Sequence, residues 1–283
     1  MSPDQTPAEV AFVLGGGGVL GAHEVGMLRA LAEHEIRPDV VVGTSIGAVN
    51  GAFFAADPTV AGVERLSQLW DGANNRELFG GAFLRRLTTL ARSGTHLQSL
   101  EELRARLEQA LPVKRIEDLP IKFQCVAASI ERAAEHWFEA GELTDAVLAS
   151  CAVPGILPPV RIGDEHYIDG GIVNSIPVSR AVALGARKIY VLQVGRLETP
   201  LRPPRWPWEV GLVAFEVARR HRFAADLNSL PDHVELHLMP TGGSAAPAYN
   251  NLTAQLRVRR MARSVHQQIE TAHAASTSYL DEQ

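Results

Sequence analysis

The amino-acid sequence predicts an α/β fold with a mainly parallel central sheet packed between helices, and three observations carry that expectation. Val10-Ala11-Phe12-Val13-Leu14, Val40-Val41-Val42 and Ile189-Tyr190-Val191-Leu192-Gln193-Val194 are short, continuous apolar runs, the pattern of strands buried on both faces. Between the first two, Gly21, Val25, Leu28 and Ala32 recur at helical spacing with Arg29, Glu33 and Glu35 off the stripe, and Pro38 closes the segment. Glycines follow each of those two runs. A β-α-β unit of this kind crosses over right-handedly and seeds a parallel sheet.

Further elements are legible along the chain. Residues 57–120 read as mainly helical, with Trp70 to Gly94 less regular and suited to a lid or cap, and Ser99-Leu100-Glu101-Glu102 is a capping box opening a helix through Ala110. Lys122 to Ala128 is a strand. Val160 to Ile168 reads as a hairpin turning at Gly163-Asp164, which delivers Asp169 to a loop. After the strand at Ile189, Val234, Leu236 and Leu238 alternate with Glu235, His237 and Met239, which suggests a more exposed strand. Residues 198–210, rich in proline and carrying Trp206 and Trp208, read as a linker or excursion. The tail from Asn250 reads as helical, with Leu252, Leu256, Val258 and Met261 as its apolar positions. One domain over residues 1–283 is expected, its motifs within about 10–195 and residues 196–283 completing or covering it.

With 283 residues, 46% apolar and 21% charged, the chain can bury a sizeable core, which argues against disorder. A formal net charge of -5, without a basic stripe interleaved with aromatics, makes nucleic acid a poor partner. The N-terminal Met1 to Glu9 carries acid where a secretory signal would carry base, and no stretch approaches the roughly 20 apolar residues of a membrane span. A cytoplasmic protein is expected. Cys125 and Cys151 lack metal-ligand spacing and read as buried small hydrophobes rather than a disulfide or metal site.

The sharpest chemical signal is Gly43-Thr44-Ser45-Ile46-Gly47, between Val40-Val41-Val42 and the helical Ala48-Val49-Asn50-Gly51-Ala52-Phe53. It reads as a nucleophile elbow, a strand-to-helix reversal that holds a serine hydroxyl proud of the backbone and points a helix N-terminus at it. Upstream, Gly15-Gly16-Gly17-Gly18-Val19-Leu20-Gly21 fits two readings. Gly16-x-Gly18-x-x-Gly21 is the spacing of a dinucleotide site, but such a site wants an acidic residue where the second strand ends, and here Asp39 lies before that strand. The preferred alternative is an oxyanion hole built from glycine backbone N–H groups. Downstream, Asp169-Gly170-Gly171 offers a carboxylate on a tight turn as the serine's base. With an ordinary pKa of about 3.9 it would be feeble unless partly desolvated.

In these three places the chain resembles the patatin-like phospholipase family, whose members pair a glycine-rich oxyanion loop with a GxSxG serine and a later DG[G/A] aspartate. The likeness runs from about Val10 to Val194 and includes Ala149 to Val160, a small-residue, proline-rich approach to the aspartate hairpin, and Val173-Asn174-Ser175-Ile176-Pro177-Val178 just after it. The resemblance implies a patatin-like three-layer α/β/α domain and a Ser-Asp dyad that hydrolyses carboxylic esters of lipids through an acyl-enzyme. It makes Ser45 the nucleophile and Asp169 the base. It makes Gly16, Gly17 and Gly18 the oxyanion donors, with Gly21, Gly43, Gly47, Gly170 and Gly171 supporting the turns. No metal and no cofactor are implied. Leu20 departs from the pattern, because many members place a basic or small residue there.

Rival readings remain in view. A Ser-Asp-His triad would draw its histidine from His221, His233 or His237, yet only one strand precedes that of the serine, too few for an α/β-hydrolase. His166 reads as a hairpin side chain and His23 as a solvent-facing residue at a helix start. An acyltransferase using the same dyad, or a catalytically silent lipid-binding relative, are the alternatives in function. Peripheral membrane contact is a further expectation for Arg202, Arg205, Trp206 and Trp208 and for the basic amphipathic Leu84 to Arg92, against the preferred plainer reading of loops packed on their own domain.

Overall fold

The computed structural model describes residues 8–71, 100–154, 157–194, 200–204, 207–243 and 265–283. The chain begins with strand β1 (Val10–Leu14), a 3₁₀ turn at Gly18–Gly21, helix α1 (Ala22–Glu33), strand β2 (Val40–Thr44), and helices α2 (Ile46–Ala56) and α3 (Val60–Asp71). Helix α4 (Leu100–Ala110) leads to strands β3 (Lys122–Ser129) and β4 (Ala134–Phe138) and helix α5 (Leu143–Ser150). The hairpin β5 (Val160–Ile162) and β6 (Glu165–Asp169) is followed by α6 (Gly171–Asn174), α7 (Val178–Ala183) and β7 (Lys188–Leu192). Helix α8 (Pro207–Asn228), strand β8 (Glu235–Leu238) and helix α9 (Val265–Asp281) complete the described elements.

These strands form one eight-stranded sheet in the order β5-β6-β3-β2-β1-β7-β8, with β4 also paired to β3. From β3 through β2, β1 and β7 to β8 the pairing is parallel, while β4, β6 and β5 join antiparallel. The parallel part is buried on both faces because alternate side chains enter different cores. Phe12 and Leu14 of β1 pack with α1, α2, α3 and α5, whereas Ala11 and Val13 pack with Val178 and Ala181 of α7 and Phe223 of α8. The result is three layers, α/β/α.

One register positions the site. Residues 125–129 of β3 have β4 along one edge, so both β2 and β6 must use the other. There Thr44, the last residue of β2, lies opposite Val126, and Asp169, the last of β6, lies opposite Ala127. Because β2 runs with β3 and β6 runs against it, the two strands meet head to head. Ser45, the residue after Thr44, is therefore carried to Asp169.

Several expectations need correction. Asp169 ends a strand rather than entering a loop, and the 198–210 excursion already starts α8 at Pro207. Helix α1 is buried nearly all round instead of along one stripe, because α9 covers its other side, a Cβ on Gly26 falling 2.2 Å from the Ile269 carbonyl oxygen. In β8 the buried residue is His237, stacked on Tyr190, while Leu238 faces out. Ser99, Leu84 to Arg92, Arg205, Trp206 and the tail positions Leu252 to Met261 lie outside the described residues. Among those described, no helix is long and apolar enough to cross a membrane.

Candidate active site

Ser45 sits between the last residue of β2 and the first of α2 with φ 54° and ψ -123°. Such a backbone costs a non-glycine residue on the order of 1–3 kcal/mol, so its surroundings must hold it. Close packing supplies part of the restraint: a Cβ on Gly47 would stand 2.3 Å from the Leu14 carbonyl oxygen, so α2 can abut β1 only through a glycine. The Ser45 carbonyl accepts the Ala48 and Val49 N–H groups and starts the helix.

The serine Oγ donates to Asp169 Oδ2 at 2.6 Å, across 124 residues of sequence. That length belongs to hydrogen bonds with a charged acceptor. The other carboxylate oxygen, Oδ1, accepts the Gly171 N–H at 2.7 Å. Both groups are buried, Ser45 to 9% exposure and Asp169 to 3%. Burial pushes the Asp169 carboxyl up to about 6, against the opposing pull of its Ser45 and Gly171 hydrogen bonds. The desolvation required of a competent carboxylate base is thus present. Gly170 enables the turn, since a Cβ there would lie 2.1 Å from the Val126 carbonyl oxygen.

The glycine loop lies over the serine, a Cβ on Gly16 falling 3.5 Å from that of Ser45. Of the three expected oxyanion donors, Gly16 is already engaged, its N–H bonded to the Ser175 carbonyl at 2.9 Å. Gly17 lies between it and the 3₁₀ turn, and Gly18, at φ +56°, is exposed. Asp39 is remote from this loop: its Oδ2 accepts the Glu9 and Val10 N–H groups, at the opposite end of β1. It is therefore not placed as the ribose acid of a dinucleotide site.

The candidate histidines fall elsewhere. His221 and His233 are exposed, and His166 bonds Glu131 on the hairpin. His237 is three strands from β2, roughly 14 Å by strand spacing, and its nitrogens engage Glu235 and the Tyr279 hydroxyl. His23 is half-buried rather than solvent-facing, with Nδ1 on the Leu20 carbonyl and its pKa lowered by burial.

Sequence reasoning missed the polar groups around the pair. The Ser45 N–H donates to Ser150 Oγ at 2.9 Å, Thr44 Oγ1 to the Asn174 carbonyl, and Cys151 Sγ to the Ser45 carbonyl at 3.1 Å. Both cysteines are free thiols, Cys125 buried as expected and Cys151 partly so. Behind the elbow, Asn50 Nδ2 donates to Glu24 Oε2 at 2.7 Å and to the Gly21 carbonyl, while Trp70 Nε1 donates to Asn50 Oδ1. Asn50 and Glu24 are fully buried, and burial pushes the Glu24 carboxyl well above the usual range. Two polar residues on otherwise apolar helix faces were the available signal.

The structure thus places a serine hydrogen-bonded to a buried carboxylate at the meeting of two strands, beneath a glycine loop, on an α/β scaffold. The model of the patatin-like phospholipase family matches residues 12–182, and this chain belongs to that family. It is 32% identical over 193 residues to a patatin-like phospholipase domain-containing protein of Caenorhabditis elegans, covering 67% of this chain and 14% of that one. Likewise it is 30% identical over 202 residues to lysophospholipase NTE1 of Eremothecium gossypii, covering 68% and 12%. It is 32% identical over 195 residues to patatin-like phospholipase domain-containing protein 7 of Rattus norvegicus, covering 68% and 14%. The chain thus spans about an eighth of the length of these relatives. Among solved structures it is similar to VipD from Legionella pneumophila, 13% identical with a TM-score of 0.45, covering 98% of this chain and 67% of that one.

Proposed function

We propose that the chain is a serine lipid acyl hydrolase that cleaves carboxylic esters through a Ser45-Asp169 dyad. The observation that carries this reading is the 2.6 Å bond from Ser45 Oγ to a carboxylate whose burial raises its pKa to about 6. A base must lie within hydrogen-bond reach and have a pKa near working pH, and the short bond together with the upward shift to about 6 supports Asp169 in that role. Ser45 Oγ attacks the ester carbonyl as its proton passes to Asp169 Oδ2. The backbone N–H groups of Gly17 and Gly18 stabilise the charge developing on the carbonyl oxygen, and removing such a donor typically costs about 10²–10³ in rate. Protonated Asp169 then gives its proton to the departing alcohol, leaving an acyl ester on Ser45. Water, deprotonated by the same carboxylate, attacks that ester, and as the fatty acid leaves, protonated Asp169 returns its proton to Ser45 Oγ.

A lipid ester as substrate is supported by family membership and by relatives named phospholipases and lysophospholipases. The test is hydrolysis of a lysophospholipid and a short-chain p-nitrophenyl ester by the wild-type chain, Ser45→Ala and Asp169→Asn, with and without chelator. Loss of fatty-acid release in both variants, with no effect of chelator, is expected. Release surviving in Ser45→Ala, or restored only by added metal, would overturn the mechanism. An alcohol can resolve the same acyl-enzyme in place of water, so product analysis with added monoacylglycerol separates a transacylase from a hydrolase.

A further inference from the structure

The segment Ser150-Cys151-Ala152, at the C-terminal end of α5, touches both halves of the dyad at once. Toward the nucleophile, Ser150 Oγ accepts the Ser45 N–H at 2.9 Å and Cys151 Sγ donates to the Ser45 carbonyl at 3.1 Å. Toward the base, the Ala152 carbonyl accepts the Asp169 N–H at 3.0 Å and the Ser150 carbonyl accepts the Gly170 N–H at 3.3 Å. Ser150 is fully buried. No other pairing in the described residues ties Ser45 and Asp169 to one tripeptide.

From this juxtaposition we infer that Ser150 is a positioning residue, whose hydroxyl fixes the strained nucleophile against the strand end that carries the base. The inference rests on the dyad reading above. Its physical basis is that β2 and β6 only abut. They meet end to end on one edge of β3 with no ladder between them, so pairing with β3 brings the two strand ends together while the fine Ser45–Asp169 geometry depends on contacts beyond the ladder. Backbone hydrogen bonds from the tripeptide fix β6, and they survive any side-chain change. On the Ser45 side, the firm link is one side-chain oxygen, the thiol being a weak donor. The Ser45 N–H precedes the helix and has no intrahelical partner, so Ser150 Oγ also answers a buried donor that would otherwise turn the elbow. Reacting groups displaced by about 1 Å can lose about 10²-fold in rate.

The test compares wild type, Ser150→Ala, Ser150→Cys and Ser45→Ala on a p-nitrophenyl ester. Rates are normalised to active sites by the acylation burst, and thermal unfolding is measured alongside. Ser150→Ala should lower kcat about 10- to 100-fold with KM within about twofold of wild type, the acid limb of the pH profile still near 6 and the folded state retained. Ser150→Cys, of similar shape but a poorer acceptor, should fall between, and it carries the test if Ser150→Ala does not fold. Wild-type kcat per active site in Ser150→Ala, or a loss in KM alone, would overturn the positioning role. Ser45→Ala separates the two readings: if it is active, the dyad fails and the inference with it; if it is inactive beside a fully active Ser150→Ala, only the inference fails.

Discussion

At the scale of single residues, the proposed chemistry turns on Asp169. Its carboxyl accepts a proton from Ser45 only when ionised, so with a pKa raised to about 6 the turnover of a soluble ester should fall about tenfold per pH unit below that value. A pH–rate profile without an acid limb between about 5 and 7 would contradict this. The same shift bears on stability. The folded pKa lies above the ordinary 3.8, so proton uptake stabilises the folded chain fully below about pH 4, and that contribution is lost as pH rises through about 6. Above that pH the buried carboxylate therefore costs about 3 kcal/mol. Asp169→Asn, inactive by at least about 10³-fold, should accordingly resist urea better than wild type at about pH 8, with the difference shrinking by about pH 4. Equal denaturation midpoints in the alkaline condition would count against a desolvated carboxylate. Ser45, Asp169 and the glycine turns were legible because each needs a residue type at a fixed place in a turn. Ser150 and Asn50 were not, since their roles depend on which distant backbone their side chains meet.

At the scale of elements, the meeting of β2 and β6 on one edge of β3 explains why the motifs lie where they do in the chain. The two glycines that permit close approach should be intolerant. Gly47→Ala drives a Cβ into the Leu14 carbonyl and Gly170→Ala into that of Val126, both backbone atoms that cannot swing aside. Each should cost about 1–3 kcal/mol in chemical denaturation and depress kcat more than KM. A Gly170→Ala variant with wild-type stability and kcat would mean that the strand ends have slack. The parallel strands and the β5–β6 hairpin could be read from apolar runs and Gly163, which adopts φ +62° at the turn. Strand β4 was not foreseen, because Ala134-Glu135-His136-Trp137-Phe138 is half polar and lies on an edge. Strand β8 is mostly exposed, as its alternation suggested, with His237 stacked on Tyr190 in its one buried place.

At the scale of the whole molecule, the layers close through contacts between the first and last described helices. Helix α9 lies on α1 at Gly26, burying Ile269 and Ala272, and Arg29 pairs with Glu270 while His273 meets Glu33. We propose on this basis that residues 196–283 complete one domain with the motif-bearing part. Gly26→Ala, whose Cβ would fall on the Ile269 carbonyl oxygen, should then lower the midpoint of a single cooperative unfolding transition, whereas two separate transitions in the wild type would argue for independent units. Sequence suggested that the C-terminal part completes or covers the domain but not that α9 packs on α1 at Gly26, because that contact joins segments from opposite ends of the described chain. Ser45 and Asp169, the proposed nucleophile and base, are delivered to one point by different strands. The most direct measurement of that pairing is reaction with a fluorophosphonate probe, followed by peptide mapping, in wild type, Ser45→Ala and Asp169→Asn. A single label is predicted on the peptide bearing Ser45, absent in Ser45→Ala and slowed at least about 10²-fold in Asp169→Asn. Labelling at another serine, or an unchanged rate in Asp169→Asn, would contradict the dyad.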